Sequence, residues 1–394
     1  MAADVAVAAG TAPQRRSGAA RYRMAITGLP PARFAGSGSV VPTPAPHEVI
    51  PVKAVRVHDY GKPPSLDDVP EPTIEGPLDV LVHVDAAGVC RTDLHIIEGQ
   101  WAGRQDPELP YIIGHENAGT VVAVGDAVGT VAVGDKVILH PLVTCGLCRA
   151  CRAGDDVHCS ASEFPGLSRD GGMAELMRTG VRSVVKLEEG LAPADVAALA
   201  DAGLTAYHAV RKAVPLLHAG TRAVMIGAGG LGHIGLQTLL AITPAEVIVV
   251  DQSEEALAKA ADLGAHHTVL ASGDHVAEVM DLTGGLGGHV VFDFVGEHGT
   301  EAAGLAMTRE AGSYYVIGYG GHVDVPTIDL ISREISVVGN LVGSYNDLAE
   351  LMALTAQGKV RLSTRTYPLA DALMALDDLD HARVPGGRAI LTST

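Results

Sequence analysis

Between residue 52 and about residue 200, apolar positions come in short runs rich in Val and Ile and separated by glycine: VKAVRVHDYG, VLVHVDAAGV, GTVVAVG and GDKVILH. Runs of this kind predict strands, and no longer helical periodicity joins them, so this part reads as an antiparallel sheet or barrel without a long helix. The pattern then changes. VMIG leads into a glycine-rich turn, HIGLQTLLAI has helical spacing, VIVVD follows, and SEEALAKAADLG and VVFDFVG continue the alternation. Strands alternating with helices predict a parallel sheet with crossover helices. A short αβ tail starts near Asp347 and ends in GGRAILTST.

Residues 223–245 contain no Lys, Arg, Asp or Glu, which is long enough to weigh as a membrane span. Gly227, Gly229, Gly230, Gly232 and Gly235 fall within it, and His233 and Gln237 interrupt it. It therefore reads as a buried strand, a turn and a helix.

Composition narrows the class. At 394 residues, and about 150 residues per domain, two domains are expected. The 47% hydrophobic and 19% charged content is that of a globular body. A net charge of −18 excludes a phosphate-backbone partner, which needs clustered Lys and Arg. Residues 1–50 differ: they are rich in Ala, Gly, Pro and Ser, with Arg15, Arg16, Arg21, Arg23 and Arg33 against only Asp4 and Glu48. They read as a disordered extension or as the product of a misjudged translation start. The Arg15-Arg16 pair has the form of a twin-arginine signal, but no sustained apolar run follows it, so export is not expected.

CGLCRACRAGDDVHC places Cys145, Cys148, Cys151 and Cys159 at spacing that brings four thiolates around one tetrahedral Zn²⁺ and leaves no open position. Two disulfides or an iron–sulfur cluster are the alternatives. The odd total of five cysteines and their clustering favour a reducing cytoplasm. The fifth, Cys90, precedes His115 by twenty-five positions (115 − 90 = 25), and thiolate plus imidazole are half of an open zinc site. GAGGLG, running Gly227, Gly229, Gly230, Leu231, Gly232, follows a strand and opens a helix, the context of a pyrophosphate-binding turn. Asp251 closes the next strand, where a carboxylate accepts ribose hydroxyls and repels a 2′-phosphate, favouring NAD over NADP.

In order along the chain, GVCRTDLH, GHENAGTVVAVG, the cysteine lobe, GGMAEL, DAGLTAYHAV and GAGGLGHIG are similar to the motifs of zinc-dependent alcohol dehydrogenases of the medium-chain dehydrogenase/reductase family. The pattern most resembles a secondary-alcohol branch. Over residues 52–394 the resemblance implies an α/β protein. It would have a GroES-like antiparallel β-barrel catalytic domain at 51–203, carrying the structural zinc lobe at 144–160. A Rossmann doubly wound parallel-sheet domain for NAD would follow at 204–342, with a return to the catalytic domain at 343–394.

The resemblance implies two Zn²⁺ per subunit. Cys90, His115 and Asp201 match the catalytic ligands, with Glu116 close by, although most of the family has a cysteine where Asp201 stands. An aspartate there also suits a helix N-cap. Asp93 would orient His115, Thr92 would be the first hydroxyl of a proton relay, and His95 its solvent end. A loop hydroxyl and an exposed histidine are the plain alternatives. Arg91 and Arg388 would contact the pyrophosphate, while Thr205, Ile317 and Gly318 would lie near the nicotinamide. Trp101, otherwise a packing residue, would face the substrate, with Thr92 beside it, and Glu175 is taken as structural.

The implied reaction is reversible oxidation of an alcohol, secondary and medium-sized or aryl-alkyl, by hydride transfer from its zinc-bound alkoxide, in a cytoplasmic homodimer or homotetramer without a membrane partner. Alternatives are a primary alcohol or polyol dehydrogenase, a zinc-independent quinone or enone reductase, and a non-enzymatic zinc-binding protein.

Overall fold

The computed structural model describes residues 51–105, 107–384 and 387–393. The expectation of an extension over residues 1–50 lies outside them. The first described strand, Pro51–Val57, pairs antiparallel with Ser65–Pro70 and with Tyr111–Ile112. The long strand Asp79–Val89 anchors a second sheet of seven strands, pairing antiparallel with Glu116–Val124, Leu176–Gly180 and Arg388–Thr392. Lys136–Leu139 and Val184–Lys186 extend it on one side and Thr364–Pro368 on the other. The run VLVHVDAAGV, expected as a strand, is thus the strand at the middle of this sheet.

The longest helix before residue 200 among the described residues is Arg91–Ile97, seven residues directly after Cys90. The sequence reading has no helix there, because seven residues span fewer than two turns and carry too little period to detect.

The second half forms six parallel strands in the order His267–Leu270, Glu246–Asp251, Arg222–Ile226, Gly288–Asp293, Thr308–Val316, Ser336–Gly339. Strand order reverses beside Arg222–Ile226, the place where open α/β sheets bind ligands. Both faces are covered, so the strands are apolar throughout: Ala223, Met225, Val247 and Val249 enter one core, and Val224, Ile226, Ile248 and Val250 the other. The uncharged stretch is, as read, a buried strand, a turn and the helix Gly232–Ile242. No helix among the described residues is long and apolar enough to cross a membrane.

Two polar side chains on Gly232–Ile242 reach back to the barrel side. Gln237 Nε2 donates to Arg361 O (2.9 Å), Arg361 N donates to Gln237 Oε1 (3.0 Å), and Ser363 N donates to His233 Nε2 (3.4 Å). The interruptions seen in the apolar run are therefore hydrogen bonds to the segment leading into Thr364–Pro368.

Candidate active site

Strand Asp79–Val89 delivers Cys90 to the N-terminus of Arg91–Ile97, where Asp93 Oδ2 accepts the Cys90 N–H at 2.8 Å. Strand Glu116–Val124 begins beside it and brings His115 and Glu116. Gly88 makes room: a Cβ there would lie 2.0 Å from Glu116 Oε2. Asp201 arrives from the turn before helix Ala202–Ala213. One ligand atom from each of Cys90, His115, Glu116 and Asp201 lies within 4.8 Å of the others, so these four residues could hold a metal ion.

The electrostatics of this cluster fit a cation. His115 is buried, and neither of its ring nitrogens has a hydrogen-bond partner. Nδ1 faces Asp93 Oδ1 and Nε2 faces Asp201 Oδ2, each at 3.4 Å. Burial opposes charge on His115, yet Asp93 and Asp201 hold its pKa well above the ordinary value. An orphaned imidazole nitrogen beside a thiol and a carboxylate is the donor set of an open zinc site. Asp201 occupies the N-cap position of its helix but caps no backbone N–H with its side chain. Instead Oδ2 turns to His115 and Oδ1 accepts from Thr205 Oγ1 at 3.4 Å. Capping therefore does not account for the residue.

Glu116 stands slightly apart. Arg388 Nη2 lies 2.5 Å from both of its oxygens, and the Ala202 N–H donates to Oε1 at 3.1 Å. Burial raises the Glu116 pKa while Arg388 opposes the rise. Arg388 is itself buried, and its Nη1 lies 2.9 Å from where a Cβ on Gly230 would stand. One guanidinium thus joins the putting-together of both sites: one nitrogen on the metal-side carboxylate, the other against the glycine turn.

That turn is built by steric necessity at two points. Gly227 has φ +94°, and a Cβ on Gly232 would strike Gly227 O at 1.9 Å. Gly229, Gly230 and Leu231 complete it, Leu231 preceding the first helical residue. Asp251 ties the turn to the next strand, its Oδ2 accepting the Ala228 N–H at 2.6 Å and its Oδ1 the Ser253 N–H at 2.8 Å. Each carboxylate oxygen keeps a second lone pair for a ribose hydroxyl. The N–H groups of Ile317 and Gly318 both bond to Asp293 O, at 3.0 and 2.9 Å. Arg91 extends to Glu297 of the parallel-sheet half, 3.7 Å away.

Thr92, His95 and Trp101 converge on a residue that the sequence reading missed, Tyr319. Its hydroxyl lies 3.1 Å from Thr92 Oγ1, 2.9 Å from His95 Nδ1 and 3.4 Å from Trp101 Nε1. His95 is only 8% exposed, so it sits beneath Tyr319 and not at an open solvent end as expected. Phe164 was also missed; its ring stands edge-on to His115, centroids 5.7 Å apart. Neither had a local signal, since each comes from a loop far along the chain from Cys90. Glu175, taken above as structural, accepts the Lys53 N–H at 2.7 Å.

In the cysteine lobe the four sulfurs lie within 4.8 Å of one another and none is in a disulfide. Backbone N–H groups of Cys145, Leu147, Cys148 and Ala161 point at Cys145 and Cys159 sulfurs at 3.4–3.5 Å. Such donors stabilise thiolates, the form that ligates a metal.

A parallel sheet with a glycine turn at its switch point, beside a barrel that carries a Cys, His and carboxylate cluster, defines a two-domain dehydrogenase. Family models for the alcohol dehydrogenase GroES-like domain and for zinc-binding dehydrogenase match residues 76–189 and 230–357. The chain belongs to the zinc-type alcohol dehydrogenases of the medium-chain dehydrogenase/reductase family. It is 33% identical over 351 residues to an NAD-dependent alcohol dehydrogenase of Sulfurisphaera tokodaii, covering 86% of this chain and 100% of that one. It is 35% identical over 350 residues to a D-arabinose 1-dehydrogenase (NADP(+)) of Saccharolobus solfataricus, covering 86% and 97%. A solved alcohol dehydrogenase from Aeropyrum pernix aligns with a TM-score of 0.84 and 47% identity, over 86% of this chain and 99% of that one.

Proposed function

We propose that this protein is an NAD-dependent alcohol dehydrogenase with one catalytic and one structural Zn²⁺ per subunit, acting on medium-sized or aryl-alkyl secondary alcohols and their ketones. The observation that carries the reading is the Arg388 bridge, which sets the Cys90, His115 and Asp201 cluster directly against the Gly230 turn. Cys90, His115 and Asp201 would hold the catalytic ion, with Glu116 in reserve on Arg388, and the four lobe cysteines the structural one. When bound, zinc supplies the Lewis acidity that lowers the pKa of an alcohol hydroxyl. Asp93 fixes the His115 ring, and Thr92 takes up the proton leaving the alcohol. Gly227, Gly229, Gly230, Leu231 and Gly232 receive the cofactor pyrophosphate together with Arg91. Asp251 binds the ribose and Thr205, Ile317 and Gly318 the nicotinamide.

The walls support this substrate class. Phe164 stands edge-on to His115, and Trp101 and Tyr319 stand edge-on to each other beside Thr92, aromatic surface suited to an apolar substituent rather than a chain of hydroxyls. The likeness to a D-arabinose 1-dehydrogenase supports a second reading, a sugar substrate with NADP. NAD or NADP reduction with a panel of secondary alcohols, primary alcohols and aldoses decides between them; preference for aldoses would replace the first reading.

In the same reading residues 51–203 and 343–394 make one domain and 204–342 the other, in a cytoplasmic protein. A homo-oligomer would pair the outer edge of Ser336–Gly339, which has only Thr308–Val316 as a strand partner among the described residues. Ile328 (66% exposed) and Ile331 (71%) stand nearby in helix Thr327–Arg333. An open apolar edge calls for cover, and a twofold copy provides it.

A further inference from the structure

At the switch point the parallel strands end side by side, and one buried acid sits between the loops that leave them. Asp293 closes Gly288–Asp293, opposite Ile226 on one side and Val316 on the other. Ile226 leads into the glycine turn, and Val316 into Ile317 and Gly318. We infer that Asp293 is a positioning residue of the nicotinamide pocket, one that shapes its backbone walls and whose negative charge favours the cationic oxidised ring over the neutral reduced ring. The inference rests on the dehydrogenase reading above and adds to it a residue that sets the preference between the two forms of the cofactor.

The shaping comes from both ends of the residue. Asp293 Oδ1 accepts the Val295 and Gly296 N–H groups at 2.9 and 2.8 Å, while its carbonyl oxygen takes those of Ile317 and Gly318. The two loops held in this way touch: a Cβ on Gly296 would lie 2.1 Å from Gly318 O, and one on Gly318 would lie 2.3 Å from Val295 O. A Cβ on Gly227 would lie 2.8 Å from Val295 Cγ2, so the same loop also backs the glycine turn. Releasing residues 294–296 therefore moves the walls assigned to the nicotinamide.

The hydrogen-bond pattern fixes the charge. Asp293 Oδ2 is 2.7 Å from the hydroxyl of Tyr314, which is fully buried and meets no other partner among the described contacts. A proton on Oδ2 would point at that oxygen and leave the phenol hydrogen unpaired, a costly arrangement in a buried site. An ionised Asp293 instead satisfies every donor that faces it. Burial and then the bond to Asp293 push the Tyr314 pKa up, so the phenol keeps its proton to donate. All three donors to the carboxylate are neutral, and the further charge felt at Tyr314, that of buried Glu301, is another acid. A buried negative charge that no ion pair cancels is weakly screened and stabilises a cation bound nearby. The oxidised nicotinamide is such a cation and loses its charge on accepting hydride.

The test is calorimetric binding of NAD⁺, NADH and ADP-ribose to the zinc-loaded full chain. ADP-ribose shares the adenosine and pyrophosphate and lacks the nicotinamide. Asp293→Asn keeps an acceptor for Val295 and Gly296 and can donate to a turned Tyr314 hydroxyl, so it removes the charge alone. We expect its Kd for NAD⁺ to rise about fivefold, with those for NADH and ADP-ribose within about twofold of wild type. Asp293→Ala removes the hydrogen bonds as well and should weaken NADH about tenfold while ADP-ribose stays within about threefold. An Asn variant with an unchanged ratio of NAD⁺ to NADH affinity would overturn the inference, as would an Ala variant that binds NADH like wild type. So would loss of ADP-ribose equal to the loss of NAD⁺ in either variant, since Asp293 would then support the fold and not the nicotinamide. A wild-type protein that binds none of the three ligands instead removes the cofactor reading beneath it.

Discussion

Cys90 and Cys145 carry the same thiol in opposite settings: one shares its cluster with an imidazole and two carboxylates, the other with three sulfurs. Cys90→Ser should therefore abolish turnover and remove one zinc by elemental analysis while the melting temperature stays near wild type. Cys145→Ser should lose the other zinc and lower the melting temperature, because a closed site contributes folding energy. Finding one zinc in fully active wild-type protein would contradict both. Asp251 offers a second residue-level outcome. Its oxygens hold the Ala228 and Ser253 N–H groups, so a cofactor 2′-phosphate would approach a fixed negative charge. Asp251→Ser should narrow the ratio of kcat/KM for NAD over NADP by about tenfold, the equivalent of about 1.4 kcal/mol.

At the scale of elements, helices Ala202–Ala213 and Tyr345–Ala356 are joined by buried Asp347. It accepts from Arg211 at 2.7 Å and from the Ser344 N–H at 2.8 Å, and lies 2.9 Å from His208 Nδ1. Burial alone would raise its pKa, but His208 and Ser344 more than reverse this and hold it well below the usual carboxylate range. The stabilisation is complete above the unfolded value of about 4 and is lost as pH falls below that toward the depressed folded value. Asp347→Asn should cost about 3 kcal/mol at pH 7 by denaturant unfolding, with a smaller deficit near pH 3. What was legible in the sequence at this scale was contiguous. The glycine turn, the cysteine lobe and the Cys90 and His115 motifs each occupy one short segment, and the switch from strand-sized runs to alternating strands and helices marks the two architectures. Tyr319 was not legible, since its partners Thr92 and His95 lie 227 and 224 positions away and nothing in IGYGG encodes that approach. The same holds for the pairing of Arg388 with Glu116, 272 positions apart, where the motif reading supplied a cofactor contact but not the carboxylate.

For the whole molecule, the charge of −18 keeps copies apart unless an apolar surface outweighs it. If the proposed homo-oligomer pairs the Ser336–Gly339 edge, Ile331→Asp in the helix before it should lower the mass measured by light scattering relative to wild type, while an unchanged mass would remove that edge as the interface. The place of Arg388–Thr392, between Thr364–Pro368 and the long strand Asp79–Val89, bears on how such a chain finds its shape. Ala389 pairs with Val89 across 300 positions (389 − 89 = 300), and the whole parallel sheet lies between them. Closing so long a loop in an unfolded chain is slow. A parallel sheet that forms first gathers most of that length into a compact body and shortens the loop left to close. The nucleotide half then serves as a folding scaffold for the metal half, and substitutions that weaken its strands delay completion of a barrel they do not touch.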